Sequence, residues 1–184
     1  MGMAMAASFS SAAIFDVVYT IGTNGIPTID GYGDPSNVVI TDNYNTNYGL
    51  TGVHVIGIGW NVNISAFGAS WLSESRLAFE NTSQADGVFL GPGAGNNTPG
   101  NNVNFTSGGV VDLVGPALDF FLDGDDTLRL EWFESFDDVP DAIDGLWHEG
   151  SQFTVRVDAT AVPEPATMAV LGLGAAALLR RRRK

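Results

Sequence analysis

The stretch VIGIGWNVNISAF, Val55–Phe67, decides the fold. Ile56, Ile58, Trp60, Val62 and Ile64 alternate with Gly57, Gly59, Asn61, Asn63 and Ser65. Side chains of a strand point alternately to its two faces, so this period of two predicts a strand with one dry face and one wet face. The pattern recurs outward along the chain. TLRLEWF (127–133) sets Leu128, Leu130 and Trp132 against Arg129, Glu131 and Phe133. RLAFE (76–80) sets Leu77 and Phe79 against Arg76, Ala78 and Glu80, and FTVRVD (153–158) turns Phe153, Val155 and Val157 inward. Shorter strands are predicted over Phe15–Ile21, Val38–Thr41, Val88–Leu90, Val110–Val114 and Leu118–Leu122. Asp123-Gly124, between DFFL and TLRLEW, is a hairpin signal. No helical period of three and four runs through residues 14–160. The expected fold is therefore all-β, an antiparallel two-sheet sandwich of jelly-roll type built from about eight or nine strands.

Composition agrees with one domain and its appendages: 184 residues, 45% hydrophobic, 23 glycines and no cysteine. Without cysteine there are no disulfides, no thiol nucleophile and no thiolate-bound zinc. Charge is split along the chain. Of 8 basic residues, five form Arg180–Lys184, so residues 1–179 hold Arg76, Arg129 and Arg156 against 21 acids, about −18 beside a +5 tail. A body so poor in cations is a weak partner for phosphate, and no nucleic-acid role is expected.

The tail VPEPATMAVLGLGAAALLRRRRK (162–184) is of another kind. Ala166–Leu179 carries no charge and has no polar face, unlike a helix packed on a soluble core. As a helix it would span roughly 21 Å at 1.5 Å per residue, short of the ~30 Å hydrocarbon core but extended by snorkelling arginine stems. Pro165 blocks helical extension upstream, and the basic cluster predicts a cytoplasmic end. A short C-terminal transmembrane helix is expected.

Pro163-Glu164-Pro165, the apolar segment and the terminal arginine run together resemble the PEP-CTERM protein-sorting signal of Gram-negative bacteria. The resemblance implies export, transient anchoring in the inner membrane and processing by an exosortase, with release to the cell envelope or the exterior. It implies Pro163, Glu164 and Pro165 as the recognition element and Arg180, Arg181, Arg182, Arg183 and Lys184 as the stop-transfer cluster. Proteins of this kind are associated with exopolysaccharide, an implied partner here. A second stretch, DDTLRLEWFESFDDVPDAIDGLWHEGSQFTVRV (125–157), looks like the last strands of the β-sandwich found in many such proteins, which have no general assigned activity. The chain thus divides into 1–13, a β-sandwich at 14–160 and the sorting signal at 161–184. For MGMAMAASFSSAA (1–13) two readings stand: the remnant of an export signal starting upstream of Met1, with Ser11-Ala12-Ala13 resembling a small-x-small cleavage site, or a disordered lead-in. Export favours the first.

Candidate chemistry is sparse. His54 and His148 show no metal spacing, and no serine lies in Gly-x-Ser-x-Gly. Glu131, Glu134 and Glu149 suggest a glycosidase pair, but Glu131 and Glu134 point to opposite faces of one strand and read as solvated. Asp123, Asp125 and Asp126 share one turn, and Asp137, Asp138, Asp141 and Asp144 crowd another. Hard cations take several oxygens from such loops, so the second turn either binds Ca²⁺ or serves as an acidic solubilising turn. Trp60 and Trp132 lie on dry faces, whereas Trp71 and Trp147 near loops are candidates for stacking on sugar. GPGAGNNTPGNN (91–102) reads as a solvated loop. The expectation is a non-enzymatic envelope or matrix protein, with a carbohydrate-binding module, then a glycoside-active enzyme, as alternatives.

Overall fold

The computed structural model describes residues 11–162. Eleven strands, β1 (Ala12–Thr20), β2 (Ile26–Thr28), β3 (Val38–Asn43), β4 (Leu50–Ala66), β5 (Ser75–Asn81), β6 (Gly87–Leu90), β7 (Gly100–Asp112), β8 (Phe120–Phe121), β9 (Thr127–Glu134), β10 (Gly145–Trp147) and β11 (Gln152–Ala161), form two antiparallel sheets. One helix, α1 (Tyr44–Tyr48), is capped by the Asn43 carboxamide and by Gly49. The larger sheet has seven strands, in the order β1-β11-β4-β10-β2 with β7 and β8 added on β4. The smaller has four, in the order β3-β9-β5-β6. The division is unequal, unlike an eight-strand jelly roll. Ala12 and Ala13, of the small-x-small triplet, pair with Thr160 and Ala159.

The stretch that predicted the fold is the spine of the larger sheet. β4 pairs with four other strands apart from β1 and β2: β11, β10, β7 and β8. Its alternation shifts phase twice. Arg156 faces Gly57 but Val157 faces Val55, which leaves Ile56 as a bulge residue. A second bulge holds Gly52 at φ 62°, a left-handed conformation that glycine adopts without a Cβ penalty. The inward set is therefore Val53 and Val55, then Ile58, Val62 and Ile64, while Ile56 is only half-buried.

Between the sheets, Trp132 meets Trp147 edge to face at 6.3 Å and Phe153 at 6.0 Å. Leu77, Phe79, Leu128 and Leu130 supply the smaller sheet's side, and Val155 and Val157 the larger sheet's. Each such side chain contributes about 1.5–3 kcal/mol on leaving water.

The Asp123-Gly124 turn is not a hairpin. β8 pairs with β4 in the larger sheet and β9 lies in the smaller, so this turn carries the chain across the core. The aspartates hold it there. Asp123 accepts from the Ser83 N–H (2.8 Å) and Asn81 (3.2 Å), and Asp126 accepts from Thr51 (2.7 Å) and the Val53 N–H (3.2 Å). Among the described residues no helix is long and apolar enough to cross a membrane. The segment expected to do so, 166–179, lies outside them.

Candidate functional site

One end of the sandwich gathers three irregular segments: the turn between β4 and β5, the 91–99 loop and the 135–144 loop. They enclose an open groove of about 450 Å³ lined by Trp71, Ser73, Glu74, Arg76, Gly95, Asn97, Ser135, Phe136 and Asp138. Trp71 is 42% exposed and Phe136 64% exposed, so two large aromatic faces meet solvent here. The Glu74 carboxylate accepts the Trp71 N–H at 2.6 Å and fixes the turn that presents the indole.

The 91–102 segment is largely exposed, as expected of a solvated loop, but its middle is docked on the turn before β5. Leu72 N–H donates to Thr98 O at 3.0 Å, Ser73 N–H to Asn96 O at 3.1 Å, and Ser73 Oγ to Asn97 at 2.8 Å. A Cβ on Gly93 would stand 2.3 Å from the Leu72 carbonyl oxygen, so the close docking of this wall requires glycine. From Gly100 the segment is already strand β7, paired with β4.

Behind the groove lies a group of carboxylates. Glu134, the last residue of β9, is 2% exposed, and Asp144, just before β10, is 4% exposed. These correct the reading of Glu134 as a solvated strand carboxylate. The missed signal was parity, since Glu134 continues the inward set Leu128, Leu130 and Trp132. Thr28 Oγ1 donates to Glu134 Oε1. Burial, then the charges of Asp144, Glu74 and Asp138, push Glu134 up to about 8 although the Thr28 hydrogen bond acts the other way. Burial, then Asp30 and Asp144, also raises Asp137. Of six buried side-chain polar atoms left without a hydrogen bond among the described residues, four belong here: Glu134 Oε2, Asp137 Oδ1, Asp138 Oδ2 and Asp144 Oδ2.

The four aspartates expected to bind calcium are only partly brought together. Asp137 and Asp138 are half-buried near Asp144, while Asp141 is exposed and donates its N–H to Asp30 at 3.0 Å. Among the described residues, no three carboxylate or histidine side chains stand at metal-ligating spacing. Asp123, Asp125 and Asp126 are occupied as acceptors by Ser83 N–H, Thr127 N–H and the Thr51 hydroxyl.

Trp147 is not a stacking platform. It is fully buried against Trp132, with its indole N–H donating to Ser75 at 2.7 Å. Glu131, also read as solvated, is fully buried because the 29–37 segment covers its face of the smaller sheet. Its oxygens are satisfied by Arg129 (2.6 Å), Gly33 N–H (2.6 Å) and Asn37 (2.9 Å). Glu131 and Glu134 thus face different surroundings and form no pair. His54 contacts Asp119 at 2.7 Å and stacks on Phe121, and His148 contacts Ser65 at 2.6 Å.

The sorting residues Pro163, Glu164, Pro165 and Arg180, Arg181, Arg182, Arg183 and Lys184 lie outside the described residues. β11 leads toward them, ending at Ala161 on the large sheet. No curated protein and no solved structure matches the chain. Residues 161–184 match the PEP-CTERM protein-sorting motif family, and the chain therefore carries the address of an exported, exosortase-sorted protein held transiently in the membrane by its C-terminal end.

Proposed function

We propose that the exported sandwich is a non-enzymatic surface protein that holds polysaccharide, the exopolysaccharide of its own envelope, in the groove beside Trp71. The observation that carries this reading is the pairing of two exposed aromatic faces, Trp71 and Phe136, with polar side chains of both donor and acceptor type. Sugar rings offer C–H faces that stack on indole and phenyl rings. Their hydroxyls both donate and accept, matching Glu74 and Asp138 as acceptors, Arg76 as donor, and Asn97 and Ser73 as either. An open groove on an acidic body suits a neutral chain better than an anionic one, whose charges the 21 acids would repel.

The test is retention of the full-length chain on immobilised neutral and acidic polysaccharide from a PEP-CTERM-bearing bacterium. Retention on the neutral polymer, lost tenfold or more in Trp71→Ala, supports the reading. Equal retention of wild type and Trp71→Ala overturns the groove as the site. Release of reducing ends, abolished by Glu74→Gln, would replace binding with glycoside hydrolysis.

A further inference from the structure

Both ends of the described chain leave from the same end of the sandwich. β11 stays paired to its last residue, Ala161 against Leu50 of β4, and Val162 donates its N–H to Gly49 O at 2.7 Å. β1 begins beside it, with Ala12 opposite Thr160. The helix α1 closes this exit end. The 123–126 turn is tied to it, because Asp126 O accepts the Tyr44 N–H at 2.8 Å and the Asp126 carboxylate accepts from Thr51. The Ser83 N–H brings in a further turn through Asp123.

The groove stands at the opposite end. Trp71 follows the far end of β4, Ser73 and Glu74 precede β5, and Ser135 follows β9. β9 joins the two ends, since Asp126 sits just before it and Glu134 closes it. Eight residue steps at ~3.3 Å each put the ends about 26 Å apart. The link to the membrane is shorter than that. Between Val162 and the uncharged segment 166–179 stand only Pro163, Glu164 and Pro165. Four residue steps reach about 14 Å at most, and each proline ring fixes its φ. While the C-terminal end holds the chain in the membrane, the exit end therefore stays close to the lipid.

That restraint alone leaves the body free to tilt, and charge sets the tilt. Glu74, Asp137, Asp138, Asp141 and Asp144 gather at the groove end, where Arg76 is the lining cation. Anionic headgroups repel such an end. A body tethered at one end and repelled at the other stands upright. We propose that the anchored protein stands on its exit end, with α1 and the 123–126 turn toward the lipid headgroups and the Trp71 groove held outward, open to polymer before the chain is released. The proposal uses the position of the groove and does not depend on what the groove binds. It gives the acidic 134–144 loop a role, that of keeping the groove off the membrane surface.

The chain has no cysteine, so single-cysteine variants can each carry one dye. Thr46→Cys in α1 marks the exit end, and Ala94→Cys in the 91–99 loop marks the groove end; both positions are exposed. The full-length variants are reconstituted in vesicles that carry a headgroup-attached quencher, made of neutral lipid or with anionic lipid added. Quenching of the dye at 46 is expected to exceed that at 94 by about threefold, and the ratio should grow with anionic lipid at low salt, where charge is least screened. Equal quenching at the two positions, as a molecule lying on its side gives, overturns the proposal. Stronger quenching at 94, or a ratio that falls on anionic vesicles, overturns it as well. Adding Trp71→Ala should leave the ratio unchanged, which separates loss of orientation from loss of polymer retention.

Discussion

Glu131 and Glu134 are two glutamates on one strand, both buried, with opposite neighbourhoods. Around Glu131 every charge is answered. Arg129 bridges it to Glu80, Asn37 and the Gly33 N–H complete its shell, and Tyr32 donates to Glu80 at 2.5 Å. Tyr32, Phe89 and Phe133 form an aromatic cluster beside this network. Around Glu134 the neighbours are Asp144, Glu74 and Asp138, and one threonine hydroxyl is the only donor the side chain finds among the described residues. Burial alone therefore says nothing about the role of a carboxylate. What is donated to it decides whether the fold answers its charge or works against it.

The largest test of this contrast is Arg129→Met, which strands Glu80 and Glu131 without their cation. Removing one partner of a buried ion pair costs about 3–5 kcal/mol, and urea denaturation should show a loss of that size. The two glutamates themselves come next. Glu131→Gln should destabilise by about 1.5–3 kcal/mol, because charge-assisted hydrogen bonds are lost and a carboxamide nitrogen faces donors. At pH 7 Glu134→Gln should do the reverse and stabilise by about 1 kcal/mol, since a carboxyl pushed up to about 8 must take up a proton on folding and a carboxamide need not. If the two substitutions shift the urea midpoint in the same direction, the contrast is broken.

A smaller effect is expected at Trp71. Truncating this exposed ring to alanine should change stability by no more than about 0.5 kcal/mol, as read from the same denaturation curves. Trp147→Ala, which empties the core, should cost about 3–5 kcal/mol. The smallest effect is alkaline. Burial first, then the hydrogen bond to Glu80, pushes Tyr32 up to about 12 from its ordinary 10. The folded state thus favours the protonated phenol. That stabilisation is complete below pH 10 and is lost as pH climbs through about 12. Because Tyr32 is partly exposed, the effect is shallow. Melting temperatures between pH 9 and 12 should fall less steeply in Tyr32→Phe than in wild type.

The strands and the inward residues of β5, β9 and β11 were legible from alternation, since a half-buried strand must segregate its side chains by parity. Ile56 was not, because a bulge is set by the partner strand β11 and shifts parity without any change of composition. Glu131 and Ala78 read as wet because alternation sees one sheet at a time, whereas the 29–37 segment covers that face from a distance in sequence. β2 and β10, three residues each, are too short to show a period. The groove was half legible: Trp71 stood out near a loop, but Glu74, Asn97 and Phe136 come from separate segments that meet only in space.

The amino-acid sequence by itself determined the class of fold, through a period of two, and the cellular address, through a linear motif at 161–184 read without any folded context. Tertiary structure alone decided which acids are answered and which are bare, which tryptophan is core and which is open, and how the Asp123-Gly124 turn crosses between sheets. The physical reason is that patterning and sorting motifs act locally along the chain, whereas solvation and charge compensation depend on whatever the fold brings within a few ångströms.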